Sequence, residues 1–182
     1  MTDIILFGTA TLVLIIASRR ALLYPRSHGF PRFFGWEALT ALLVINLSVW
    51  FRDPLSWNQV ISWILLIISA IVAFTAFVQF HRGGKPGSPR SEEHLFDLEK
   101  TSVLVTTGVF HYIRHPMYSS LIFLGWGIFF KDPSMAGALL AVVATTLLFQ
   151  TARVEERENI AFFGGAYETY MKRTKRFVPY VF

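Results

Sequence analysis

The run WNQVISWILLIISAIVAFTAFVQF, from Trp57 to Phe80, is predominantly apolar and contains no charged residue. A helix needs about 20 such residues to cross the hydrocarbon core of a bilayer, and this run exceeds that length. Four further apolar runs surround it, each bounded by charges or proline: Ile4 to Ser18, Trp36 to Phe51, Ser119 to Phe130 and Ser134 to Gln150. The sequence therefore predicts an all-α, polytopic membrane protein with about five transmembrane helices.

The overall composition agrees with this prediction. Hydrophobic residues make up 53 % of the 182 residues, charged residues make up 16 %, and the mean hydropathy is positive. A soluble domain usually has about 25 % charged residues. The four flanking runs are shorter than a full transmembrane span. Partial insertion of these helices, or local thinning of the bilayer around them, is therefore an alternative to a complete crossing. The last two, joined by Lys131-Asp132-Pro133, are predicted to form a tight helical hairpin.

The distribution of basic residues predicts the orientation in the membrane. The first three residues, Met-Thr-Asp, lack the basic region of a signal peptide. The first apolar run is therefore predicted to be a transmembrane helix. Of the 17 Lys and Arg, all except Arg52 and Lys131 lie in the first connection, the third connection or the carboxyl-terminal tail. Because positive charge collects on the cytoplasmic side, we expect the amino terminus outside and the tail, as a helical cap, inside.

Charge and cysteine content exclude several classes of function. The chain has no cysteine, which excludes disulfides, thiolate metal sites and a cysteine nucleophile. The net charge of +5 indicates attraction to an anionic inner leaflet. Arginines and aromatics are not interleaved as they are on a nucleic-acid surface, so no nucleic-acid partner is predicted.

The chain divides into two predicted regions. Residues 1–80 contain three amino-terminal spans, and residues 81–182 contain a loop, the hairpin and carboxyl-terminal helices. In the first connection, Arg19, Arg20, Arg26 and Arg32, with neighbouring aromatics and prolines, are predicted to form an interfacial belt. The third connection, His81 to Thr107, is predicted to be a loop, with a short surface helix from Glu92 to Glu99.

Beyond the fifth run, Ala152 to Lys172 has helical propensity, with Gly164-Gly165 as a break. Two short helices are predicted there. The basic segment Lys172 to Arg176 is predicted to anchor at the inner leaflet. The last apolar residues, Phe177 to Phe182, are predicted to fold back as a lid.

Two polar clusters are predicted to meet at one membrane edge. Arg114-His115-Pro116-Met117-Tyr118 precedes the hairpin, and Glu155-Glu156 follows it. Ionisable groups beside a membrane helix are costly and indicate a binding site. Pro116 keeps His115 from the middle of a helix and leaves backbone carbonyls near it for a ligand. The alternative is that Arg114 merely extends toward lipid phosphate.

Glu155 and Glu156 diverge by about 100° on a helix, so one can face the hairpin and the other can face outward. Carboxylates beside a membrane pocket can hold an ammonium or sulfonium group. The alternative is that the pair binds Arg153 or Arg157 on an exposed helix.

His111 and His115 have the four-residue spacing of two metal ligands. However, Pro116 disrupts the shared helical face, and no His-Glu-x-x-His pattern is present. No metal is predicted.

Taken together, these motifs resemble those of the isoprenylcysteine carboxyl methyltransferase family and its phospholipid methyltransferase relatives. The resemblance covers about residues 79 to 180 and rests on five motifs: Leu104 to Phe110, Arg114 to Tyr118, Glu155-Glu156, Phe163-Gly164-x-x-Tyr167-x-x-Tyr170 and Arg176-Phe177-Val178-Pro179. It implies a membrane methyltransferase that binds S-adenosylmethionine between the last two membrane helices, the preceding loop and the carboxyl-terminal helices. Residues 81–182 would then be its catalytic region.

The resemblance also implies roles for individual residues. Leu104, Val105 and Phe110 would enclose the adenosine part of the cofactor, and Glu155 would contact its polar end. The remaining cofactor walls would come from His115, Pro116, Met117 and Tyr118. Arg153 and Glu156 would be catalytic, with the arginine orienting the acceptor. The chain departs from the family pattern at Ser120, Glu158 and Asn159.

The implied acceptor is a lipophilic molecule from the membrane lipid phase, with O-methylation of an isoprenylcysteine-like carboxylate favoured. An ionised carboxylate or thiolate needs no general base, whereas a lipid amine needs one, with His115 or a glutamate as candidate. Phospholipid N-methylation and thiol S-methylation stay open. A reductase that uses the reduced nicotinamide cofactor NADPH also stays open, because steroid reductases have a similar His-Pro-x-Tyr pattern, although Met117 and Ser119-Ser120 depart from it. A non-catalytic lipid-binding protein is the last alternative.

Overall fold

The computed structural model describes residues 1–83 and 103–180, and these residues form helices and no strand. Two 3-10 turns, Leu47–Val49 and Gly108–His111, lie between the helices. The α-helices are α1 (Thr2–Leu22), α2 (Gly29–Asn46), α3 (Trp57–Gly83), α4 (Pro116–Phe129), α5 (Met135–Phe163) and α6 (Gly165–Arg173). The all-α prediction is confirmed.

Four helical segments of the described residues are long and apolar enough to cross a membrane: Thr2–Leu22, Gly29–Val49, Trp57–Gly83 and Met135–Phe163. The fourth predicted span, α4, has 14 residues and is therefore about 21 Å long, shorter than the roughly 30 Å hydrocarbon core. The protein is a polytopic membrane protein in which α4 is the short member of the hairpin.

The helices pack so that α2, α4 and α5 share the core. α2 packs against α1 and α5, and α3 packs against α4. Leu42 on α2, Ile128 on α4 and Leu148 on α5 are at most 2 % exposed. The contact between α2 and α5 crosses the predicted boundary between residues 1–80 and 81–182, and that division stays a prediction.

The second helix begins earlier than predicted. It starts at Gly29 rather than at Trp36, because Pro31 lies in the first turn, where a missing N–H group costs no intrahelical hydrogen bond. Arg32 is therefore part of α2 and is only 3 % exposed. Arg32 is therefore not a lipid-facing anchor, and the interfacial belt of the other arginines stays a prediction.

The prediction of two short helices after Ala152 was also wrong. α5 continues without interruption to Phe163, because no glycine or proline interrupts residues 150 to 163. It ends at Gly164, whose φ of 58° favours glycine. One helix, α6, follows within the described residues. The extension carries Glu155 and Glu156 on the same rigid helix that spans the membrane.

The carboxyl-terminal segment folds back only in part. Phe177 is 5 % exposed and packs near His115 and Phe149, whereas Tyr180 is exposed. Phe182 and the predicted helix from Glu92 to Glu99 lie outside the described residues.

Candidate functional site

A cavity of about 540 Å³ lies where α4 begins and α5 passes beyond its apolar part. This volume is within the range of small-molecule sites. Side chains from α2, α3, the segment before α4, the start of α4, α5 and α6 line it. All eight residues predicted to bind a cofactor are among them: Leu104, Val105, Phe110, His115, Pro116, Met117, Tyr118 and Glu155.

The start of α4 is held in place by the carboxyl-terminal tail. Pro116 is the first residue of α4, where a fixed φ and a missing N–H are tolerated. The backbone N–H of Arg114 donates to the carbonyl of Lys175 at 2.8 Å, and that of His115 donates to Arg176 at 3.1 Å. The tail therefore fixes the orientation of the His-Pro motif.

Glu156 is the centre of a buried ion cluster behind this motif. Its side chain is 6 % exposed. Arg114 Nε donates to its Oε1 at 2.9 Å, and Arg176 Nη2 donates to its Oε2 at 2.7 Å. His115 Nε2 lies 3.4 Å from Oε1. Glu156 does not line the cavity, so its position fits a residue that orients His115 rather than one that touches a ligand.

Glu155 points into the cavity, as the divergence of adjacent helical residues predicts. Its Oε2 accepts a hydrogen bond from Tyr118 Oη at 2.6 Å and lies 3.8 Å from His115 Nδ1. The His115 and Tyr118 rings stack with centroids 5.5 Å apart. A carboxylate and two ring faces thus meet on one wall, an arrangement that can bind a positively charged group.

Tyrosines on α6 support another wall. Tyr170 Oη donates to the carbonyl of Phe110 at 2.6 Å, and Tyr167 packs against Tyr170. Burial raises the pKa of both phenols above the ordinary value, so they stay protonated at neutral pH. Tyr170 can therefore hold Phe110 at the cavity without becoming charged.

The turn before Phe110 depends on a glycine and on α3. Gly108 has a φ of 62°, and Gln79 Oε1 accepts a hydrogen bond from the N–H of Val109 at 2.6 Å. A Cβ atom at Gly108 would lie 2.1 Å from the Gln79 side chain. Gly108 is thus required both by its backbone conformation and by the close approach of Gln79.

One wall of the cavity was missed by the sequence analysis. His28, Arg32 and Trp36 on or beside α2 line the same cavity, and so does Glu158 on α5. His28 Nδ1 lies 2.5 Å from Glu158 Oε2, and the His28 N–H donates to Glu158 Oε1 at 3.0 Å. The four-residue spacing of His28, Arg32 and Trp36 places them on one helical face, and this pattern was the available signal.

Arg153, like Glu156, is a predicted site residue that does not line the cavity. It is exposed, and its guanidinium lies 5.9 Å from the centroid of the Phe149 ring. Across residues 1–83 and 103–180, no group of three or more His, Cys, Asp or Glu side chains is arranged to hold a metal ion.

Comparison with known proteins adds independent information. Residues 57–165 match the phospholipid methyltransferase family. This chain is 30 % identical to Protein-S-isoprenylcysteine O-methyltransferase B of Arabidopsis thaliana, in an alignment that covers 98 % of this chain and 90 % of the relative. Methanethiol S-methyltransferase of Crocosphaera subtropica is 25 % identical over 87 % of this chain. No solved structure gave a significant match.

The chain is shorter than some of these relatives. It spans 64 % of the Crocosphaera protein and 37 % of Protein-S-isoprenylcysteine O-methyltransferase of Schizosaccharomyces pombe, which is 30 % identical over 52 % of this chain. The family match nevertheless covers more than half of the chain and includes the start of α4 and the glutamates of α5. This chain therefore belongs to the phospholipid methyltransferase family and is a relative of the isoprenylcysteine O-methyltransferases.

Proposed function

We propose that the protein is a membrane methyltransferase that uses S-adenosylmethionine and methylates a lipophilic acceptor. O-methylation of an isoprenylcysteine-like carboxylate is the favoured reaction. The observation that carries this proposal is the single cavity that brings together all eight predicted cofactor residues at one end of the membrane helices. The active site and the carboxyl terminus would face the cytoplasm and the amino terminus would face outside, as the basic residues predict.

The chemistry of the cavity walls fits this cofactor. Leu104, Val105 and Phe110 offer an apolar enclosure for the adenosine part, and Glu155 offers a carboxylate for the ammonium group. The faces of Phe110 and Tyr118 can each favour a positive sulfur by about 0.5 to 2 kcal/mol. When bound, the cofactor supplies a methyl group on a sulfonium, and the walls exclude water and align the acceptor.

In this proposal one residue acts through its neighbours and another contacts the acceptor outside the cavity. Glu156 positions His115 and the two arginines, as its buried contacts indicate. Arg153 stays a predicted acceptor-orienting residue and would meet the part of an acceptor that extends beyond the cavity.

Calorimetric binding to the detergent-purified protein tests the proposal, with S-adenosylhomocysteine and NADPH titrated in parallel. We expect saturable binding of the first only. Glu155→Gln should weaken that binding by about tenfold, because a charge-assisted contact is lost. Glu168→Gln, on the exposed side of α6, is the matched control and should bind as the wild type does.

Each alternative predicts a different outcome of the same titrations. Binding of NADPH alone would favour a reductase, and binding of neither cofactor by the folded protein would favour a non-catalytic lipid-binding protein. Equal affinity in Glu155→Gln and the wild type would remove Glu155 from the site.

Methylation of a small thiol is the second candidate. The Crocosphaera methanethiol S-methyltransferase is similar over 87 % of this chain, a larger share than the family match at residues 57–165 covers. Methyl transfer to a short-chain thiol and to a farnesylated cysteine carboxylate, measured side by side, distinguishes the two.

A further inference from the structure

The geometry points to Arg32 on α2 as the anchor for the negatively charged head group of the methyl acceptor, a carboxylate or a thiolate. This inference rests on the proposed methyl transfer and specifies the acceptor class. Arg32 lies in the same cavity wall as His28 and Trp36, outside the residues that match the family.

Arg32 is a charged residue enclosed within the helix bundle. It is 3 % exposed, yet it lines the cavity whose walls include the predicted cofactor residues. A guanidinium stays protonated at every accessible pH and presents several donors that match the geometry of a carboxylate. A ligand in this cavity therefore meets a permanent positive charge on the α2 wall.

The guanidinium is oriented by contacts that extend to α5. Glu158 accepts hydrogen bonds from the backbone N–H of His28 and, at 2.5 Å, from its Nδ1. With its proton on Nδ1, the His28 ring can accept at Nε2, which lies 3.4 Å from Arg32 Nη1. The guanidinium also lies 5.1 Å from the centroid of the Trp36 ring. Contacts that hold a side chain before binding reduce the entropy lost when a ligand binds.

The charge of Arg32 favours some acceptors over others. An ammonium acceptor, positively charged at neutral pH, is repelled where its head group lies against Arg32, whereas the positive groups of the cofactor lie against Glu155 in the proposed arrangement. A carboxylate or thiolate is attracted and arrives already ionised. Its oxygen or sulfur donates an electron pair to the methyl carbon while the methyl–sulfur bond of the sulfonium breaks and leaves that pair on sulfur. The products are a methyl ester or a thioether, and no proton is released.

Four farnesyl compounds with different heads test this inference. N-acetyl-S-farnesylcysteine carries a carboxylate, its carboxamide is a neutral isostere, farnesyl thiol at alkaline pH carries a thiolate, and farnesylamine carries an ammonium. Binding of each is measured by calorimetry with S-adenosylhomocysteine present. The carboxylate and the thiolate distinguish the two possible anions.

We expect the wild type to bind at least one anionic head about tenfold more tightly than the carboxamide and the amine. Arg32→Gln should abolish this preference, and Arg32→Lys should restore part of it. Arg20→Gln, an exposed arginine at the end of α1, is the matched control and should retain the preference. Affinity for S-adenosylhomocysteine should change less than twofold in all three variants, which also shows that each variant is folded.

Other results overturn the inference in distinguishable ways. A wild type without preference for an anionic head, or with preference for the amine, excludes Arg32 as an acceptor anchor and leaves the cofactor proposal intact. Loss of S-adenosylhomocysteine affinity in folded Arg32→Gln places Arg32 at the cofactor instead. A wild type that binds no S-adenosylhomocysteine overturns the proposed function itself.

Discussion

Both ends of α4 hold buried charged groups, but the end at Pro116 opens onto the cavity of about 540 Å³, whereas Lys131 at the other end is not part of its lining. At the end that follows Phe129, Lys131 is 2 % exposed, and its Nζ donates to Gln59 Oε1 at 2.9 Å. The same ammonium lies 3.3 Å from the centroid of the Trp63 ring and 5.0 Å from that of Trp50. The cation is enclosed by aromatic faces and an amide.

The Gln59 side chain completes this closed end. Its Nε2 donates to the carbonyls of Lys131 and Val49 at 3.1 and 3.2 Å, so α3 is joined to the connection that precedes it and to the connection between α4 and α5. Burial lowers the pKa of Lys131, whereas the ring faces and Gln59 favour its charged form. Within the described residues, this polar cluster has a structural role in joining helices and connections.

The opposite end divides its polar groups between structure and ligand binding. Glu156 is enclosed by Arg114 and Arg176, whereas Glu155 and Tyr118 face a cavity of about 540 Å³. Burial of charge alone therefore does not indicate function. A binding site also needs polar groups that face a cavity.

The largest effect is expected from Glu156→Gln. This change leaves Arg114 and Arg176 without a full counter-charge, and loss of one partner of a buried ion pair costs about 3 to 5 kcal/mol. The melting temperature in detergent should fall strongly, and S-adenosylhomocysteine binding should be lost with it. A variant as stable as the Glu168→Gln control would show that the cluster is not structural.

Lys131→Met should lower stability by about 2 kcal/mol, because the contacts with two indole rings and the hydrogen bond to Gln59 are lost while the methionine still fills the space. S-adenosylhomocysteine affinity should remain unchanged. Arg52→Met is the matched control at the same end, since Arg52 is 59 % exposed and should contribute little. Reduced cofactor affinity in folded Lys131→Met would contradict the separation of the two ends.

Tyr118→Phe tests a single hydrogen bond at the end of α4 that faces the cavity. It removes one hydrogen bond to Glu155 and keeps the ring against His115, so stability should change little. A hydrogen bond to a charged group contributes about 1.5 kcal/mol, so S-adenosylhomocysteine affinity should fall about tenfold. Calorimetry checks this result, and a large drop in melting temperature with unchanged affinity would assign Tyr118 a structural role.

Arg153→Ala is expected to have the smallest effect. Because Arg153 is exposed and outside the cavity lining, cofactor affinity and stability should remain near the wild-type values. If Arg153 orients the acceptor, KM for the acceptor should rise about threefold or more with kcat little changed. A KM equal to that of the Arg157→Ala control would leave Arg153 as a surface residue.

Local features of the sequence were sufficient to predict the all-α fold, the hairpin and the break at Gly164. The eight residues predicted to bind the cofactor came instead from the resemblance of motifs such as Arg114 to Tyr118 to a known family, and all eight line the cavity. Local features did not predict that α5 continues beyond its apolar part. Polar residues after Gln150 suggested a new element, but helical hydrogen bonds depend on the backbone, and no residue before Gly164 interrupts them.

The sequence by itself determined the class of protein, the approximate spans and the family, because these follow from hydrophobic run length, proline and glycine positions and motif spacing. Only the tertiary structure decided that Arg32 lines the cavity, that Glu156 binds Arg114 and Arg176, and that Lys131 is enclosed at the other end. These outcomes depend on contacts between distant residues, such as His28 with Glu158, which are 130 positions apart. No local pattern specifies which distant side chain a buried charge will meet, because packing of the helices makes that choice.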